Sequence, residues 1–448
     1  MAGSTCGSTA VGRRSLRVST RRAFLRYTSR CVAAAGVASL LPCGSTKRAA
    51  ANVPLGKADA CIFIWLGGGA CHIDTWDPKR KSPDGKQPGS YYEKIPTAIP
   101  GVEVCEHLPQ MAALLDRCVI IRTLHHEVID EHAAAVNRLH TGRPPASTTI
   151  YPSIGSVVAW QLGSGQPGVP PYIVMGYPSP SRGPGFLGPA AGYLYLLDTE
   201  AGPAGLKPPP DLTAERADRR SQLLAGLRAN YQARRGDSKV LADYLAAVDQ
   251  AARLSSPEFM KVFDLKSEPA RLREAYGSEF GQRCLLARRL VECGVRFVEV
   301  SYNLNFVNGT GWDTHNQGQL KQHLLIADLD QALSALLLDL ERRQLLDRTL
   351  VVVATEFGRP PEFDAGGGRG HHSKAFSVVL AGGGLRTGQV IGQTDELGRA
   401  IVEEPVSVPD FHATIYAAVG IDPTKELYDG DRPVPITDQG TPVARLFV

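Results

Sequence analysis

Short, continuously apolar runs rich in β-branched residues recur along the chain at 61–67, 118–124, 172–175, 296–301, 349–355 and 376–381. Runs of this length without polar alternation predict strands covered on both faces. Between them the apolar positions step by three and four, which predicts helices at 108–115, 154–162, 281–293 and about 318–346. The last is marked by Leu320, Leu324, Leu325, Leu329, Leu333, Leu336, Leu337 and Leu340. Buried strands separated by helices predict an α/β fold: a mostly parallel sheet sandwiched between helices. The stretch 178–210 breaks the pattern, being rich in Pro and Gly. Charged helical segments at about 214–235 and 238–254 follow it. The whole of 178–275 therefore reads as an inserted helical, Pro/Gly-rich cap.

The amino-terminal segment has a pattern of its own. Thr20-Arg21-Arg22-Ala23-Phe24-Leu25-Arg26 precedes the apolar run 31–41, too short to span a bilayer and suited to a signal-peptide core. This arrangement predicts a twin-arginine leader and linker over 1–51, a mature domain over 52–448, and a periplasmic or secreted destination. The leader holds nine Lys/Arg and no Asp/Glu. Without it the chain carries 40 basic and 45 acidic residues, so its net charge moves from +4 to −5. A nucleic-acid partner is thus unsupported. No later run reaches the length of a transmembrane segment. Six cysteines remain outside the leader at spacings that fit no zinc ribbon, and buried free thiols are expected.

In a parallel sheet, ligands sit beyond the carboxyl ends of the strands. The predicted strand ends here are followed by His72 and Asp74; by His125, His126 and His132; by Asp313 and His315; and by Glu356, Arg359, His371 and His372. Imidazoles mixed with carboxylates at one sheet edge suit a divalent metal, with Zn, Mn or Fe favoured over Ca or Mg. Arg359 and Arg369 could clamp an anionic substrate. Neither the 67–69 nor the 366–368 glycine run fits the dinucleotide fingerprint, and no P-loop or Gly-x-Ser-x-Gly elbow occurs.

In combination, the segments Gly67-Gly68-Gly69 through Trp76-Asp77-Pro78-Lys79, Trp312-Asp313-Thr314-His315, Thr355-Glu356-Phe357-Gly358-Arg359, Gly370-His371-His372, Leu380 to Gly384 and Asp410 to Ile415 are similar to a bacterial family known as domain of unknown function 1501. That group is twin-arginine-exported and resembles sulfatases and alkaline phosphatases. The resemblance implies an alkaline-phosphatase-like fold in which divalent metal activates a nucleophile against a phosphate or sulfate ester. It implies metal ligands at Asp74, Asp313, His315, Glu356 and His371 or His372, with Arg359 on the anion. Counting back ten residues from Gly142 of the Leu-Thr-Gly-like His140-Thr141-Gly142 reaches His132, where sulfatases carry Cys or Ser. The wider superfamily has Asp-His where this chain has Glu356-Phe357, so His371 or His372 would supply the missing imidazole. The expectation is an exported metal-dependent hydrolase of an anionic ester. The alternative is a non-catalytic secreted protein that binds a glycan, anion or metal.

Overall fold

The computed structural model describes residues 55–447 apart from 146–147, most of 200–210, scattered positions over 236–256, and 303–310 and 316–317. The leader expected over 1–51 lies outside the described residues. Among the described residues nine strands form one sheet: β1 (Ala60–Trp65), β2 (Cys118–His125), β3 (Tyr172–Met175), β4 (Leu194–Leu196), β5 (Phe297–Ser301), β6 (Thr349–Ala354), β7 (Phe376–Gly382), β8 (Gln389–Ile391) and β9 (Val406–Ser407). Their spatial order is β8-β2-β7-β6-β1-β5-β3-β4, with β9 also beside β2. Every pairing is parallel except those of β7, which runs antiparallel to both β2 and β6. The sheet is therefore mixed, mostly parallel and flanked by helices, as the apolar runs predicted. Its one reversed strand was not predicted: a strand covered on both faces is continuously apolar whichever way it runs.

Successive residues of each strand face opposite layers, so the core divides in two. Ile62, Ile64, Val298, Val300, Val351 and Val353 pack under α4 (Glu279–Glu292) and α5 (Gly318–Arg342). Phe63, Trp65, Phe297, Leu350 and Val352 pack under α2 (Ile154–Leu162) and α6 (Val408–Ala418), with Leu139 of α1 (His132–Thr141) in the same layer. The helix α1 was not predicted as such, because its polar content hides the periodicity. Within 178–275 the structure shows 3-10 turns, the edge strand β4, and the charged helix α3 (Ala214–Arg235). The six cysteines among the described residues are free, and five are fully buried. Burial pushes the Cys105 and Cys118 thiols up to about 12, so they serve as apolar core. Among the described residues no helix is long and apolar enough to cross a membrane.

The topology places the chemistry. The carboxyl ends of β1, β2, β5 and β6 share one edge, and the reversed β7 enters from that same edge. His371 and His372 therefore arrive from the amino end of a strand, and the other groups from carboxyl ends.

Candidate metal centre

The turn after β1 takes Gly68 to φ 116°, and a Cβ there would lie 2.3 Å from the Asp313 amide nitrogen. Only glycine lets this loop press against Trp312–Asp313. The close approach brings the Gly68 N–H onto Glu356 Oε1 at 2.8 Å. Glu356 follows β6 and is buried, with Thr355 donating to its second oxygen at 3.2 Å. His132 is the first residue of α1, whose amino end is capped by the Glu131 carboxylate accepting from Ala133 and Ala134. The helix start thus fixes where the imidazole stands.

Three histidines share one arrangement. His132 Nδ1 lies 2.9 Å from Glu356 Oε1, His371 Nδ1 2.7 Å from Asp130 Oδ1, and His315 Nδ1 3.4 Å from Asp364 Oδ2. Their Nε2 atoms approach a single oxygen, Asp313 Oδ1, at 3.5, 3.9 and 3.2 Å respectively. Ligand atoms of His132, Asp313 and His371 all lie within 4.8 Å of one another. His315 Nε2 stands 3.3 Å from His371 Nε2, at the border of that group. His132 Nε2 is buried without a hydrogen-bond partner. A buried imidazole nitrogen left unpaired is costly, and a metal would relieve it. A carboxylate on Nδ1 that leaves Nε2 free is the usual support for a metal-binding histidine. On both counts these residues fit a divalent ion.

The electrostatics agree. Burial lowers the pKa of His132, but the nearby Asp313 carboxylate and the hydrogen bond to Glu356 outweigh it and carry it up to about 9. Burial raises that of Asp313, yet His132, His371 and Arg359 hold it well below the usual carboxylate range. The chain therefore builds a persistent anion facing imidazoles, and without metal it holds a proton on His132 in compensation.

Other candidate residues are placed elsewhere. Asp74 lies in a 3-10 turn, fully buried, its oxygens accepting from the Tyr91 N–H at 2.6 Å, the Gln319 amide, and Arg369 Nε at 3.0 Å. It is sealed in an ion pair with Arg369 and does not join the three-histidine group. Arg369, considered above for an anion, is spent there. His372 Nε2 contacts the Arg399 carbonyl at 2.9 Å, and its ring stacks on His72 at 5.9 Å, so it turns away from Asp313. Adjacent residues of extended chain point oppositely, so only one member of the His371-His372 doublet can enter the centre. Arg359 reaches Asp313 at 2.6 Å but is fully buried. It also donates to the carbonyls of Gly68, Gly69, Arg369 and Gly370. Its guanidinium has no N–H to spare for a substrate, and it acts as a brace on the Gly68–Gly69 turn. Glu356 supports His132 through Nδ1 and lies one shell behind the open nitrogens. Asp130 and Asp364 were missed as orienting groups. Asp364 carries only the faint signal of a carboxylate capping the Gly366 and Gly368 amides.

The match to known sequences runs over residues 58–447 and is to the family described as "Protein of unknown function (DUF1501)". The chain belongs to that family. No curated protein sequence matches it. Among solved structures, the family member is similar to the phosphonate monoester hydrolase SpPMH from Silicibacter pomeroyi, at 11% identity over 87% of this chain and 77% of that one, with a TM-score of 0.39. It is also similar to the lipoteichoic acid synthase LtaP from Listeria monocytogenes, at 10% identity over 86% and 76%, TM-score 0.39. A third similarity is to the PsFucS1 sulfatase from Pseudoalteromonas sp., at 10% over 81% and 68%, TM-score 0.38.

Proposed function

We propose that this chain is an exported, metal-dependent hydrolase of phosphate or sulfate esters, with His132, Asp313 and His371 as its metal-binding residues and His315 at their border. One observation supports the reading above the rest: three imidazoles are each tied to a carboxylate through Nδ1 and turned toward the same Asp313 oxygen. Imidazole-rich sites with one carboxylate suit Zn, Mn or Fe. Such an ion, when bound, polarises an ester oxygen and lowers the pKa of a water.

The chain's own groups have separable tasks. Asp313 stays ionised and contributes the hard, anionic donor. Glu356, Asp130 and Asp364 hold the N–H of each ring on Nδ1, which keeps Nε2 of His132 and His371 available as a neutral donor, while that of His315 lies 3.3 Å from Arg359 Nη1. His132 must shed its proton before it can ligate. Both of its nitrogens face carboxylates, which favours a ligand's part over that of a phosphoryl acceptor. Arg359 balances the Asp313 charge from behind and keeps the glycine turn in place.

A second reading, a secreted binding protein that holds metal or an anion without turnover, draws support from the same Arg359. Its N–H groups all go to protein acceptors, so it offers a charged ester no clamp. Elemental analysis of the purified protein tests the metal itself: about one transition metal per chain is expected, and a folded, metal-free protein that takes up no Zn or Mn defeats the hydrolase and leaves only anion binding. Aryl phosphates and aryl sulfates assayed with added Mn or Zn then separate the two. Turnover abolished by Asp313→Ala supports hydrolysis, and metal binding without turnover supports the second reading.

A further inference from the structure

The helix α3 lies outside everything described so far. Its side chains from Ala214 to Arg234 are exposed, save for Ala217 and Arg228, which are half-buried. Yet it is not polar all round. Leu223, Leu224, Leu227 and Tyr231 remain 65%, 46%, 59% and 50% exposed. Leu223, Leu227 and Tyr231 follow one another at intervals of four, and Leu224 lies beside them, so the four form one patch about two turns long. Scattered apolar surface residues need no explanation, but four gathered on one face of a helix mark a contact surface.

The charges around the patch indicate what it contacts. Arg216, Arg219 and Arg220 precede it, Arg228 borders it, and Arg234 follows it. Opposed to these five arginines are only Glu215 and Asp218, both in the first two turns. Outside the leader the chain as a whole is net acidic, so this basicity is local to the helix. A second copy of the chain would set arginine against arginine in either relative direction, and like charges oppose that pairing. An apolar centre within a basic border is what an anionic lipid interface accepts: leucines enter the acyl boundary while arginines reach up to phosphates. Tyrosine, apolar in body and polar at its tip, suits the same depth.

We propose that α3 docks the protein on a membrane surface rich in anionic phospholipid, lying in the plane of the interface. The proposal is independent of the metal centre.

The test uses the full chain with unilamellar vesicles of phosphatidylcholine, alone or mixed with phosphatidylglycerol, read by co-sedimentation. Wild-type protein is expected to bind the anionic vesicles more tightly, and less so as salt rises. In Leu223→Asp/Leu227→Asp, and separately in Arg219→Glu/Arg220→Glu, affinity for anionic vesicles falls at least about ten-fold. Both pairs are solvent-exposed, so the melting temperature stays at the wild-type value. Because the variants keep residues 1–51, any binding by that segment cancels from the comparison. Equal binding to both lipids by wild type overturns the proposal, as does wild-type affinity in both variants. Loss of self-association in the leucine variant by sedimentation equilibrium, with lipid binding unchanged, would make the face an interface between copies and overturn it too.

Discussion

Asp74 and Asp313 make an instructive pair. Each follows a strand at the same sheet edge, and each hydrogen-bonds a buried arginine, Arg369 at 3.0 Å in one case and Arg359 at 2.6 Å in the other. From sequence they look alike. The Asp74 side chain is fully covered, and its oxygens are taken by a backbone amide, an amide side chain and a guanidinium; that of Asp313 is 38% exposed and faces three imidazoles. The first arrangement is complete and has nothing left to bind with. The second leaves an unpaired nitrogen on His132. Residue type does not make a site; donors and acceptors left without a partner do.

The largest effect should come from the sealed pair. Asp74→Ala strands the Arg369 charge in the interior and should cost about 3–5 kcal/mol in urea unfolding. If it costs no more than a change at Asp313, the contrast fails. Acid provides the next test. Burial takes His412 down to about 3, and its Nε2 donates to the Leu139 carbonyl at 2.6 Å. Its folded pKa is depressed, so its contribution is intact above about 6.5 and is lost as pH falls toward 3, by at most about 1.4 kcal/mol per pH unit for one proton. His412→Gln should therefore be the less stable protein at pH 7.5 and gain on wild type below 6.5 in unfolding titrations. His132 runs the other way in metal-free protein: its contribution is full below about 6.5 and lost as pH rises through about 9. Parallel pH profiles for variants at the two histidines would erase the distinction.

A smaller effect is expected behind the centre. Asp130→Asn keeps the shape but weakens the hold on His371 Nδ1, and should reduce metal affinity about 10- to 100-fold by competition with a chelator. Smallest is the stability cost of Asp313→Ala, about 1 kcal/mol, because Arg359 keeps four carbonyl partners and the carboxylate is partly hydrated. That variant should lose its metal while its unfolding midpoint hardly moves.

The strands were legible because burial on both faces writes itself as unbroken apolar runs, and 172–175 and 154–162 were read to the residue. The edge strand Leu194–Leu196 was hidden by the Pro/Gly-rich stretch around it, since three residues pairing on one side need little pattern. At the centre, Asp313, His315 and His371 were recoverable from the rule that ligands gather at strand ends. The difference between Asp74 and Asp313 was not, because it depends on Gln319 and Arg369, which are 245 and 295 residues away from Asp74 along the chain. Nor could sequence choose between His371 and His372: parity along an extended segment decides, and it is set by the pairing of His372 with Gly358.

That pairing carries an implication for how the centre tolerates change. The two imidazoles are consecutive beads on one taut thread, anchored at Phe376. Lengthening the intervening Ser373-Lys374-Ala375 link by one residue would slide His372 into the place that His371 now holds, so the doublet carries a spare for one of the centre's own donors.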